Sequence, residues 1–506
     1  MSAAAPAPYD LLVVGGGING TGIARDAAGR GMKVLLCEQH DLAAHTSSAS
    51  TKLIHGGLRY LEEFHFALVR KALVEREVLL GSAPHIMHPL HFVMPHAAHL
   101  RPAWMIRAGL FLYDHLARRK RLAASSSIDL RRHIAGAPLK EGYRRGFVYS
   151  DVQTDDARLV VLNAVDARER GATILTRTRC ERLTPEGSTW SATLASESGS
   201  ELVRARAVVN ATGPWVSRFV TERTPLRAAH QARLVKGSHI VVPRLFEHRF
   251  AYVFQNEDRR VVFAIPFQHD FTLIGTTDVD FSADPAAVAI DPAEVSYLCA
   301  LANRYFRRAL SPGDVVWSYA GVRPLLADES SDPMSVTREY ALELEREPAP
   351  LMSVFGGKIT TYRRLSEEAV NRLAAALGAR TRPWTADATL PGGELPHRSV
   401  AVFLRMVERR YPWLPQRVRL RCAHAYGSRL EHVLAGAGGV ADLGGEILPQ
   451  LYEREVEYLC REEFARRAED ILWRRTKLGL QLLKRDTSPL ERWLESRARE
   501  SAHTSH

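Results

Sequence analysis

The sequence predicts an α/β protein built from a Rossmann-like dinucleotide-binding domain, an antiparallel-sheet substrate domain and a helical C-terminal domain. Three observations carry this. A glycine fingerprint separates a buried strand from a helix at the start of the chain, alternating β-branched runs gather between Val235 and Asp280, and helical patterning dominates beyond about residue 390. With 506 residues the chain is too long for one core, which suggests two or three domains.

The first element is the run from Asp10 to Gly20, in which Gly15, Gly17 and Gly20 form G-x-G-x-x-G around Ile18 and Asn19. Absent side chains at the three glycines permit a tight turn, the approach of a pyrophosphate and close helix packing. A helix rich in small residues (Thr21 to Arg30) follows, and the second strand, Val34 to Glu38, ends in an acid placed to bond ribose hydroxyls. This much does not separate NAD from FAD.

The next stretch, Thr46 to Tyr60, favours FAD. It brings Ser47, Ser48, Ser50, Lys52, Leu53, His55 and Gly57 where an NAD domain would enter another βα unit. Small residues and hydroxyls suit backbone lying along a ribityl chain; standing alone, the run would read as a Ser/Thr-rich surface loop. Two later segments look like returns to the same cofactor. Val208 to Trp215 is a strand ending in an A-T-G turn, with Ala211, Gly213 and Trp215 facing the adenine half. Val354 to Tyr362 is a strand, a glycine turn and a helix start, with Gly357, Lys358 and Thr360 beside the flavin and Thr360 or Thr361 near the cap. A helix N-terminus and the Lys358 ammonium would stabilise negative charge on a reduced flavin. An ordinary glycine cap or strand-to-helix loop is the competing reading of each.

These stretches, together with R-P-A-W-M-I-R, Y-S-D, D-D-A-R-L-V, K-G-S-H-I-V-V-P, I-G-T-T-D, G-V-R-P-L and F-G-G-K-I-T-T-Y-R, resemble the FAD-dependent glycerol-3-phosphate dehydrogenases of the aerobic, membrane-associated type. The resemblance runs from Tyr9 through about Tyr362; beyond Leu390 to Gly393 it is less distinctive. It implies oxidation of sn-glycerol 3-phosphate to dihydroxyacetone phosphate by hydride transfer to FAD, with electrons passed to a membrane quinone. It also implies a cytoplasmic location on the inner face of the cytoplasmic membrane, with a homodimer compatible. Arg59, Arg323 and Arg338 match motif positions and are assigned to the substrate, where planar guanidinium forks suit a phosphate. Tyr60 either orients the substrate or packs, and Gly321 joins the cofactor residues. His55, Arg323 and Lys358 are the catalytic candidates. For the proton acceptor His55 competes with His239, the latter otherwise a substrate contact.

The expected division is a discontinuous FAD-binding domain (1–85, 147–225 and 340–385), a substrate or cap domain (86–146 and 226–339) and a helical domain (390–506). Five scattered cysteines without a C-x-x-C pair suggest neither a zinc site nor a disulfide framework, so no metal is expected. The first residues lack the apolar and basic features of a signal peptide, and no apolar run is long enough to span a bilayer. A net charge of +11 favours an anionic partner. No nucleic-acid module is recognisable, and the aromatic and basic stretch Arg101 to Leu122 suits an anionic lipid interface as well as it suits a core helix with a basic end. Ile471 to Leu480 has the same ambiguity. Two rival functions remain: an oxygen-reducing oxidase of the same fold, and a flavin-binding membrane scaffold or sensor without turnover.

Overall fold

The computed structural model describes residues 7–97, 100–227, 230–256, 260–326 and 339–504. Arg338 lies outside the described residues. A central sheet of eight strands holds five parallel members in the order Leu351–Phe355, Gly199–Asn210, Tyr9–Val14, Val34–Glu38 and Thr173–Thr176, with Ala341–Glu345 antiparallel at one edge. Leu351–Phe355 and Val34–Glu38 are buried on both faces, as is Tyr9–Val14 from Leu11 onward, which explains their continuous apolar runs. Helices Ile18–Gly29, Asp156–Glu169 and Tyr362–Ala376 pack together over one face, and the meander Thr178–Glu186, Thr189–Ser196 extends from Gly199–Asn210.

A second sheet of ten strands is mostly antiparallel. It contains the expected runs as Ala232–Pro243, Ala251–Gln255, Val261–Phe267 and Phe271–Gly275, paired with Met87–Pro95, Arg145–Thr154 and Trp317–Leu326. Leu53–Ile54 and most of Arg145–Thr154 fall inside intervals read from the sequence as cofactor domain, yet they pair with each other and with this second sheet. Hydrogen-bond partners so distant in the chain leave no local signal.

The C-terminal region folds around helices Val400–Arg410, Gln416–Tyr426, Glu453–Glu462 and Ser488–Thr504 with its own apolar core. Its attachment is polar and buried. Arg474 and Arg475 grip Asp41 at 2.6 and 2.7 Å, Arg177 meets Asp470 at 2.9 Å, Arg158 pairs with Glu463, and Trp473 stacks on Trp317 at 4.6 Å. Ile471 to Leu480 therefore serves docking: Ile471, Leu478 and Leu480 are buried, which removes the membrane reading of that stretch. Trp384, in the linker, covers the first helix so closely that a Cβ at Gly29 would stand 2.1 Å from its ring.

Between the second sheet and this region His85, His88 and His424 gather. His88 meets His424 edge-on at 4.8 Å, and His424 Nδ1 lies 3.3 Å from the His85 carbonyl oxygen. Burial depresses all three imidazoles, with Arg158 and the neighbouring histidines adding to the effect on His85 and His269 adding to that on His424. His88 is held at about 4 against an ordinary 6.5. The unfolded chain therefore binds more protons across this window, so the seam's stability is intact above about pH 6.5 and is lost as pH falls towards 4. Thermal melts should show the transition temperature dropping through that range, with a shallower slope for His88→Phe; an unchanged slope would refute the assignment to this cluster.

Candidate active site

The strand Tyr9–Val14 ends in a turn at Gly15, whose φ of +114° is open to glycine, and a Cβ there would lie 2.5 Å from the Ala211 carbonyl oxygen. Gly20 is tighter: its Cβ would stand 1.9 Å from the Gly15 oxygen. At Gly17 the nearest atom to a Cβ is Ser47 Oγ, 3.1 Å away. Gly15 and Gly20 thus serve packing within the protein, while Gly17 faces a cleft. Helix Ile18–Gly29 opens there with no acid in its first turn, which suits a pyrophosphate. Ser47 Oγ accepts the Ile18 N–H at 3.0 Å.

Glu38 closes the second strand and lines the same cleft, of about 380 Å³. Its carboxylate accepts the Gly16 N–H at 2.6 Å and the His40 N–H at 2.8 Å; burial nonetheless raises its pKa. Ala211, Gly213 and Trp215 form another wall, and His45 meets the Trp215 ring edge-on at 4.8 Å. Ile18, Asn19 and Gly357 line it too. Asn19 donates to the Gly356 carbonyl at 3.1 Å, yet its buried Oδ1 accepts nothing, an orphaned acceptor on the cleft wall. The acid, the orphaned amide, the small-residue turn and the helix end together fit an adenine dinucleotide.

From the cleft the chain crosses the second sheet. Phe263, Gly275, His239 and Tyr319 stand opposite one another on four adjacent strands. Over this row Tyr319 donates to the Ser50 carbonyl at 2.8 Å, Thr51 Oγ1 lies 2.9 Å from His239 Nε2, and the His55 ring sits 6.4 Å from Phe263. Thr46 donates to the Val322 carbonyl at 2.7 Å. Gly321 is opposed by Ala49, 2.8 Å from a notional Cβ.

Several expected cofactor residues do structural work here. Ser50 and Lys52 direct their polar groups to Asp156, Ser50 Oγ at 2.7 Å and Lys52 Nζ at 2.9 Å. Burial lowers the Lys52 pKa, opposed by Asp156. Ser48 donates to the His45 carbonyl at 3.2 Å, and Leu53 enters an apolar cluster with Tyr60 and Leu61. Asp156 was visible only as part of D-D-A-R-L-V; its position in the first turn of helix Asp156–Glu169 was the available signal.

The third return has the expected order of strand Leu351–Phe355, glycine turn and helix Tyr362–Ala376, with Gly356 and Gly357 at φ +68° and +98°. Neither threonine side chain caps the helix. A short 3₁₀ turn, Ile359–Thr361, intervenes and redirects them: Thr360 Oγ1 accepts the His55 N–H at 3.2 Å, and Thr361 bonds back to the Lys358 carbonyl at 3.5 Å. Lys358 holds its ammonium 3.9 Å over the Tyr60 ring, and Gly57 takes φ +76° beneath that ring. Arg59 lies near the same ring, with Glu63 at 3.9 Å; its buried Nη2 donates to nothing.

Arg323 lies across Gly237, its Nη2 only 2.4 Å from a notional Cβ there. Asp278 pairs with one end of its guanidinium, and Thr276 Oγ1 accepts from the other at 3.0 Å. Burial holds His239 well below its ordinary value, and nearby Arg323 and Lys52 add to this, so its ring is neutral; its buried Nδ1 has no partner. The structure thus brings His55, Arg59, Tyr60, Lys358 and Thr360 together, and His239 and Arg323 beside them across the row at Phe263. Thr276 and Asp278 stood in I-G-T-T-D and Asp156 in D-D-A-R-L-V, but nothing in those stretches singled them out as partners of Arg323 and Lys52.

Residues 10–363 match the model of the FAD dependent oxidoreductase family, and residues 383–502 match the C-terminal domain of α-glycerophosphate oxidase. Glycerol-3-phosphate dehydrogenase of Pseudomonas aeruginosa is 54% identical over 96% of this chain and 95% of its own. This chain belongs to the FAD-dependent glycerol-3-phosphate dehydrogenase family. D-erythritol 1-phosphate dehydrogenase of Brucella abortus is 47% identical over 97% of this chain and 99% of its own. The crystal structure of glycerol-3-phosphate dehydrogenase from Bacillus halodurans complexed with FAD superposes with a TM-score of 0.77 at 28% identity, covering 97% of this chain and 90% of that one. FAD is the cofactor.

Three substitutions separate cofactor cradle from scaffold. Gly17→Ala should fold, melt near the parent temperature and purify with little FAD, whereas Gly20→Ala should fail to fold, because its Cβ meets backbone. Asp156→Asn should leave Lys52 buried without its counter-charge and lower stability by about 3 to 5 kcal/mol in denaturant unfolding. Flavin retained by Gly17→Ala, or unchanged stability of Asp156→Asn, would refute these roles.

Proposed function

We propose that the site oxidises sn-glycerol 3-phosphate to dihydroxyacetone phosphate and passes the electrons to a membrane quinone. The observations supporting this reading are Arg59 and Lys358 beside the Tyr60 ring, one Arg59 nitrogen lacking an acceptor among the described residues, and Arg323 next to His239. FAD supplies the hydride acceptor when bound. The chain's residues do the rest. Arg59 and Arg323 hold the phosphate through planar donors, and Asp278 and Thr276 orient the Arg323 fork before substrate arrives. Arg338 is assigned to the same phosphate by its motif position.

We assign the proton acceptor to His55, whose backbone is tethered to Thr360. His239 is the weaker choice because Arg323 and Lys52 oppose a positive charge on its ring, so it positions the substrate. Lys358, held over Tyr60, supplies positive charge beside the flavin. Gly17, Ile18, Asn19, Glu38, Ser47, Ala211, Gly213 and Trp215 are assigned to the adenosine and pyrophosphate half, with Gly15 and Gly20 shaping the turn beneath it, and the backbone of Ser48, Gly57, Gly321, Gly357 and Thr360 to the cradle of the remainder, on a course that Ser50, Lys52 and Leu53 hold from behind.

Quinone is dissolved in lipid, so the protein must meet the interface, and no described helix is long and apolar enough to cross a membrane. Helix Ala103–His115 turns Leu110 and Tyr113 inward and leaves Trp104 and Phe111 71% and 57% exposed, beside Phe64 at 76%. Arg118 to Arg121 follow it. This face supports peripheral attachment to an anionic membrane surface, apolar residues at the lipid and cations at headgroups.

Arg323→Ala should lower kcat/KM for glycerol 3-phosphate tenfold to a hundredfold, about 1.5 to 3 kcal/mol, with FAD content unchanged and lysine rescuing only partly. The deciding assay is anaerobic bleaching of the flavin by glycerol 3-phosphate, D-erythritol 1-phosphate and glycerol. Bleaching by glycerol as fast as by its phosphate would sink the clamp, and no bleaching by any would leave a non-catalytic flavoprotein. The C-terminal match to α-glycerophosphate oxidase favours oxygen as the second candidate acceptor. Peroxide formed as fast as substrate is consumed would replace the quinone. Membrane attachment should weaken with salt and on neutralising Arg118, Arg119, Lys120 and Arg121, while dye-linked turnover survives; salt-independent attachment would exclude the basic contribution.

A further inference from the structure

Helix Phe66–Ser82, the segment following helix Ala103–His115 and the linker near Ala386 enclose a second cleft, of about 560 Å³, which shares no lining residue with the cofactor cleft. Arg70, Arg118, Lys120, Arg121 and Arg398 all line it, and none forms an ion pair among the described residues. Mutual repulsion makes such a gathering unfavourable without an anion. Its carboxylates are Asp387 and Glu77. Both oxygens of Glu77 are shielded from solvent and accept no hydrogen bond among the described residues, although the group acts on neighbouring Arg76 through its charge. A buried carboxylate in that state wants a donor. The cleft thus presents one cationic wall and one unsatisfied acceptor.

The apolar surroundings narrow the ligand further. Val74, on the cleft wall, is 42% exposed, and Phe111 and Leu112 stand outward one turn before His115, which also lines the cleft. A soluble phosphate would leave both Glu77 and these apolar groups unused. We propose that the cleft seats the headgroup of an aminophospholipid, its phosphate among these cations, its primary ammonium donating to Glu77, and its acyl chains running out over Val74 and Leu112. This rests on the membrane-attachment reading above and gives that surface a preference among lipids.

Phosphatidylcholine carries the same phosphate and positive charge as phosphatidylethanolamine but no N–H, so the pair isolates the donor to Glu77. The FAD-loaded full chain should be sedimented with vesicles of phosphatidylglycerol mixed with one or the other at constant anionic content. Binding should be roughly tenfold tighter with phosphatidylethanolamine. Glu77→Gln should abolish that gain while keeping dye-linked turnover and the phosphatidylcholine affinity, and Arg121→Ala should weaken binding to both mixtures. Equal binding of the wild type to both, or a gain retained by Glu77→Gln, overturns the proposal and leaves attachment standing. If no vesicle binds, the attachment reading fails, and calorimetry with glycerophosphoethanolamine decides the cleft alone: binding lost in Glu77→Gln supports it, while no binding, or displacement of the headgroup by equimolar inorganic phosphate, overturns it.

Discussion

Asp156 sits without solvent contact in the first turn of a helix of the cofactor domain, and its carboxylate accepts from Ser50 Oγ at 2.7 Å and Lys52 Nζ at 2.9 Å. That pairing holds the segment from Thr46 to His55 on its course between the two sheets. Losing either charge would strand the other in a medium that solvates neither, so the pair is strongly constrained once formed. Thr46, bonded to the Val322 carbonyl, and Tyr319, bonded to the Ser50 carbonyl, tie the same segment to the second sheet. The dinucleotide half and the substrate half of the site are thereby held in register by one loop.

Electrostatics in the substrate half follow from that placement. Arg59 and Lys358 share the Tyr60 ring, Arg323 and Lys52 flank His239, and the protein restrains these charges in different ways. Lys52 is neutralised by Asp156, Arg323 by Asp278, and Lys358 rests over the Tyr60 ring. Arg59 keeps a buried donor without an acceptor. Burial disfavours protonation of His239, and Arg323 and Lys52 add to it, so a neutral imidazole persists there.

The C-terminal region shows the same logic on a larger scale. Its buried arginines, Arg474 and Arg475, share Asp41, a residue just after the second strand of the cofactor domain. A segment carrying Arg474, Arg475 and Lys477 beside Trp473 thus becomes an internal joint, while the other basic and aromatic stretch, around Trp104, remains outside. Composition alone could not distinguish them, because both read as arginines beside tryptophan and leucine. The difference lies in whether a buried carboxylate elsewhere in the chain meets the guanidinium.

Local chemistry in the sequence determined the Rossmann-like start, the acid at Glu38, the two glycine returns and the FAD family, since turns, caps and fingerprint glycines depend on residues within a few positions. The β-branched runs also announced the second sheet. Only the tertiary structure decided that Leu53–Ile54 and Arg145–Thr154 belong to that sheet, that Ser50 and Lys52 answer to Asp156, and that Thr360 serves the backbone of His55 rather than a helix cap. Each is a pairing between residues far apart in the chain. Such a pairing is set by which partner burial brings near, and the one-dimensional spacing of residues carries no record of it.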